Sequence, residues 1–87
     1  MSKTKSTELE FPLECHFRVI AANEGPMQEV IESVARGLGI TSPVTKANVS
    51  GKGKYISFNI STVVESREAM NRIDAELRRI QGVRMVL

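Results

Sequence analysis

A chain of 87 residues, 41% apolar, 25% charged and 5% aromatic, makes one small domain and rules out a second domain or a deep cleft between lobes. Its net charge of +2 comes from 12 basic and 10 acidic residues interspersed along the chain, which is a solvated surface and not the gathered basic patch of an electrostatic nucleic-acid binder. No apolar run approaches the ~20 residues of a membrane span, and no signal-peptide core follows the polar start, so the expected location is the cytoplasm, away from any membrane.

Residues 1–8 are Ser, Thr, Lys and Glu around an initial Met, with nothing to bury, and are expected to form a disordered tail ahead of a single domain over 9–87. Leu9 and Phe11 are the first apolar pair, and Pro12 biases the chain towards extended geometry. From Glu14 to Ala22 the residues alternate, with Cys15, Phe17, Val19 and Ala21 on one face and His16, Arg18, Ile20 and Ala22 on the other, which predicts a strand. Asn23-Glu24-Gly25-Pro26 breaks the pattern. Pro26 suits the first helical position, with Gly25 or Asn23 available to cap, and Met27, Val30, Ile31, Val34, Ala35 and Leu38 then fall at helical spacing. Gly39 sits where a left-handed residue ends the helix.

Val44–Gly53 and Lys54–Val64 read as a hairpin with a two-residue turn at Gly51-Lys52 or Lys52-Gly53. Either turn pairs odd residues of the first arm with even ones of the second. Thr45, Ala47 and Val49 are therefore expected beside Ile56, Phe58 and Ile60 on an apolar face, with Lys46, Asn48, Tyr55, Ser57, Asn59 and Ser61 on the polar one. Ser66 is a good N-cap for a second helix whose stripe is Ala69, Met70, Ile73, Leu77 and Ile80. After Gly82, Val83, Met85 and Leu87 are expected to enter the core from an edge strand, with Arg84 and Val86 facing outward.

The order strand, helix, strand, strand, helix, strand, with one apolar stripe per helix, is satisfied by laying both helices on one face of a four-stranded antiparallel sheet. Right-handed crossovers then give a ferredoxin-like α+β sandwich (βαββαβ) with the first and third strands central.

Chemistry on such a scaffold comes from the open sheet face, the loops or an interface. Tyr55 is the only aromatic expected on the open face, where RNA-recognition modules stack two or three, so nucleic-acid binding is not expected. An acylphosphatase has this size and topology, but Glu24 would repel an anion, Pro26 removes a donor and the loop carries no Arg. Cys15 and His16 are adjacent on a strand and point to opposite faces, so they do not form a nucleophile–base pair. A single Cys and a single His also exclude an internal disulfide, a thiolate cluster and a His/Cys metal site. The expectation is a protein that is not an enzyme and uses no cofactor or metal.

A strand ending in Asn23-Glu24-Gly25-Pro26 and feeding a helix that closes with Gly37-Leu38-Gly39-Ile40 resembles the opening of amino-acid-binding ACT regulatory domains. In such a turn a glycine lets a carboxylate approach the helix N-terminus, whose first N–H groups are free. A wider resemblance runs through Leu9-Glu10-Phe11-Pro12, Phe17 and Arg18-Val19-Ile20, the hairpin Ser50 to Ser57, and the closing Val83-Arg84-Met85-Val86-Leu87. These segments, in this order and separation, are similar to the YbeD family of small bacterial proteins. The resemblance implies an ACT-like fold and a regulatory role linked to lipoate metabolism. Together these readings place a small-molecule effector at Asn23, Glu24, Gly25 and Met27. The alternative is a protein partner or homodimer contact through the sheet face and edge strand, at His16, Arg18, Tyr55, Asn59 and Arg84.

Overall fold

The computed structural model describes residues 10–87; the tail expected at residues 1–8, and Leu9, lie outside them. The elements are β1 (Leu13–Ala22), α1 (Met27–Gly37), β2 (Thr45–Val49), β3 (Tyr55–Val64), α2 (Arg67–Arg78) and β4 (Val83–Val86). The sheet order β2-β3-β1-β4 puts the two ten-residue strands in the middle, as the crossover argument requires. All neighbours are antiparallel, so this is the ferredoxin-like arrangement.

The central pair runs in one unbroken register from Leu13 opposite Val64 to Ala22 opposite Tyr55. That register stacks Phe17 on Ile60, Val19 on Phe58 and Ala21 on Ile56 under the helices. The helices answer with Ile31 and Ala35 from α1 and Ile73 and Leu77 from α2. Phe58, Ile31, Ile60, Leu77 and Val19 are fully buried, each stabilising the fold by roughly 1.5–3 kcal/mol through the apolar surface it removes from water. Val30, counted in the α1 stripe from spacing, is 40% exposed because the stripe is narrower than the periodicity implies.

The edge strands depart from strict alternation once each. In β2, Lys46 pairs with Phe58 but Asn48 pairs with Ser57, so Ala47 is an extra residue and the strand bulges. Beyond the bulge the faces exchange: Lys46 shares the helix side of the sheet with Phe58, and Thr45 joins Asn59 on the open side, the reverse of the expected assignment. The Ser57 hydroxyl accepts from the Asn48 N–H at 3.2 Å, supplying a partner where the ladder is broken. In β4, Val83 pairs with Ala21 and Met85 with Ile20, which leaves Arg84 as the bulged residue. Val86 therefore enters the core at 3% exposure, while Met85 and Leu87, expected inside, are 46% and 63% exposed on the open side.

The hairpin turn is also longer than expected. Ser50 N–H donates to the Tyr55 carbonyl at 2.9 Å, so Gly51–Lys54 form a four-residue loop, with Gly53 at φ +73° supplying the left-handed position. The odd-with-even pairing nevertheless holds at the tip, where Val49 faces Ile56.

Candidate functional site

The two helices begin differently. Ser66 has extended geometry and its hydroxyl accepts from the Ala69 N–H at 3.0 Å, so α2 starts with a side-chain cap. At α1 the cap position is Pro26, which precedes the first helical residue instead of occupying it, and no side chain caps the helix. Asn23, a candidate cap, spends its side-chain amide on the Gly53 carbonyl at 2.9 Å and its N–H on the Lys54 carbonyl, tying the β1–α1 loop to the hairpin. Gly25 turns the chain at φ +59°, and a Cβ there would meet nothing within 4 Å, so backbone conformation and not crowding calls for glycine.

This uncapped start opens on a groove of about 430 Å³ whose lining includes Asn23, Gly25, Met27, Gln28, Glu29 and Lys46. Glu32, Ile56 and Phe58 also reach it. Of the four residues expected to hold an effector, Asn23, Gly25 and Met27 come together here; Glu24 is exposed and outside the lining. Lys46 is the residue that periodicity missed. The β2 bulge carries it to the helix side, and strand alternation alone gives no sign of that shift. Gln28 fixes one wall by donating its amide to the Val44 carbonyl at 3.0 Å, just before β2.

The ion pairs of the described residues are both on α2, Asp74 with Arg78 at 2.8 Å and Glu76 with Arg79 at 3.3 Å. Lys46, Glu29 and Glu32 thus have no ion-pair partner among the described residues, although Glu32 accepts from the Gln28 amide at 3.4 Å. The site can offer a carboxylate one ammonium and the first-turn N–H groups of α1, and can offer a cationic group two carboxylates.

The residues expected to meet a partner are distributed over the open sheet face. His16, Arg18 and Asn59 border one shallow depression with Ser61 and Leu87, and His16 Nδ1 lies 2.8 Å from the Ser61 hydroxyl. Tyr55 borders another with Ile20, Asn48 and Ser57, and Arg84 stands exposed on the β4 bulge outside both. Cys15 faces the helices, partly buried, and His16 the open side. Among the described residues no group of three His, Cys, Asp or Glu could hold a metal ion, and no helix is long and apolar enough to cross a membrane.

Residues 6–87 match the family described as "Protein of unknown function (DUF493)". The chain belongs to this family. It is similar to UPF0250 proteins of Shewanella piezotolerans, 37% identical over the full length of both chains, and of Pasteurella multocida, 33% identical over 91% of this chain and 90% of the other. The resemblance to the YbeD family read from the strand and hairpin segments is therefore sound. Among solved structures, the chain is similar to protein HP0495 from H. pylori, with a TM-score of 0.79 at 19% identity over 100% of this chain and 96% of that one. It is also similar to the ACT domain from the GTP pyrophosphokinase of Chlorobium tepidum, with a TM-score of 0.63 at 17% identity over 85% and 94% of the two chains. At these identities the likeness establishes the fold, which is ACT-like.

Proposed function

We propose that this protein is a non-catalytic regulatory domain that senses a small carboxylate-bearing metabolite in the groove at the start of α1. The observation that carries the reading is the placement of Lys46, turned by the β2 bulge into a groove that an uncapped helix N-terminus already lines. A carboxylate there gains a charge-assisted hydrogen bond from Lys46 and donors from the first turn of α1. Glu29 and Glu32 narrow the class, because they oppose a simple anion and favour a ligand that also bears an amino group. The volume suits a molecule of amino-acid size or somewhat larger.

The absence of catalysis is part of the proposal. Cys15 and His16 project to opposite faces of the sheet, and Asp74 and Glu76 are engaged by arginines on their own helix. A link to lipoate metabolism, implied by the family resemblance, makes lipoate one member of the ligand panel.

The test is a thermal-shift screen of the full chain against amino acids, lipoate and octanoate, followed by calorimetry on any hit. A binder present at about 100 times its Kd stabilises the fold by ~2.7 kcal/mol, which raises Tm by several degrees in a domain this small. The Lys46→Ala variant should bind that hit about tenfold more weakly while keeping the wild-type Tm. An unchanged Tm with every carboxylate at about 10 mM would remove the reading.

A further inference from the structure

Away from the α1 groove, the sheet has a bare face whose chemistry is uneven. Ile20 pairs with Met85, and Leu87 exchanges backbone hydrogen bonds with Arg18 at 3.1 and 2.8 Å, so Ile20, Met85 and Leu87 form one apolar cluster on the open side. Tyr55, 43% exposed, extends it across Ala22 towards the hairpin. The β4 bulge creates the cluster: uninterrupted alternation from Val83 would have sent Met85 and Leu87 into the core and left Val86 outside. No described element covers this face.

The side-chain charges beside the cluster have one sign. Arg18 lies within it, Arg84 stands exposed on the adjoining bulge, and neither has an ion-pair partner among the described residues. The acid that the central strands place on this face, Glu14, is four residues from Arg18 at the other end of β1. Both edge strands carry bulges, which discourage a partner from adding a strand at either side and leave the face itself as the contact.

We infer that the open sheet face docks an acidic, amphipathic segment of another protein, its apolar side on Ile20, Met85 and Leu87 and its carboxylates on Arg18 and Arg84. The inference uses residues that the effector groove does not, so either can fail alone. Apolar contact supplies affinity and the two guanidiniums select sign and orientation, which is the usual division of labour at such surfaces.

The experiment is an amide NMR titration of the full chain with three synthetic helix-forming peptides of about 18 residues. The first has a leucine stripe and glutamates, the second lysines in place of the glutamates, and the third scrambles the first. The acidic peptide should shift Arg18, Ile20, Tyr55 and Met85, leave Gly25 to Val30 unmoved, and lose about tenfold in affinity between roughly 50 and 500 mM salt. Met85→Glu and Arg18→Glu, both at exposed positions, should each weaken it about tenfold or more. Equal shifts with the lysine peptide, no shift of the face with the acidic one, or unaltered affinity in both variants would overturn the inference. Shifts at the same residues on concentrating the protein alone would also overturn it, assigning the face to a second copy, and shifts there with a short RNA would assign it to nucleic acid.

Discussion

α1 and α2 are amphipathic helices of 11 and 12 residues on the same side of one sheet, yet their N-termini are treated in opposite ways. Ser66 closes α2 from within the chain, whereas α1 begins at Pro26 with no side-chain acceptor and faces a groove that holds Lys46. The first four N–H groups of any helix need partners, and a chain can supply them itself or leave them to water or a ligand. On the proposed function, the contrast separates a terminus built for stability from one available for binding. A variant that moves stability at one end should leave binding untouched, and the converse should hold at the other.

The substitution expected to act on both properties is the largest. Gly82 has φ +98°, and a Cβ built there stands 2.5 Å from the Met27 methyl, which lies at the start of α1 and lines the groove. Gly82→Ala should cost about 1–2 kcal/mol from backbone strain, measured by urea denaturation, and should also weaken any groove ligand because Met27 must move. Lys46→Glu comes next: it should reduce carboxylate affinity by about tenfold to a hundredfold in calorimetry, with stability within about 0.5 kcal/mol of wild type. Ser66→Ala should show the opposite pattern, losing ~1 kcal/mol of stability with unchanged ligand affinity. Pro26→Asp comes last, with an effect on stability as small as that of Lys46→Glu. It supplies α1 with an acceptor of its own, so stability should stay within about 0.5 kcal/mol while ligand affinity falls, because the new carboxylate competes for the same N–H groups.

The pattern of what could be read in advance follows the same division. The central strands were legible because Glu14–Ala22 and Tyr55–Val64 alternate cleanly against a helix layer, and a one-residue slip there would expose Val19, Phe58 and Ile60. Ser66 was legible because N-capping is local chemistry. The edges were not. Val83-Arg84-Met85-Val86-Leu87 has four apolar residues in five, so periodicity cannot say which of them enter the core, and only pairing with Ile20 and Ala21 settles it. Thr45-Lys46-Ala47-Asn48 is equally ambiguous, because a small residue such as Ala47 fits either a regular strand or a bulge. The groove inherits that ambiguity. Asn23, Gly25 and Met27 could be found from the turn, but Lys46 arrives only through a register shift in a different element.

The most direct measurement of the central claim is an amide NMR titration of the full chain with each carboxylate of the ligand panel. The account predicts that one of them produces saturable shifts at Gly25 to Val30 and at Lys46, while Arg67 to Met70 at the start of α2 stay still. Shifts of equal size at both helix starts, or none at either at about 10 mM ligand, would contradict it.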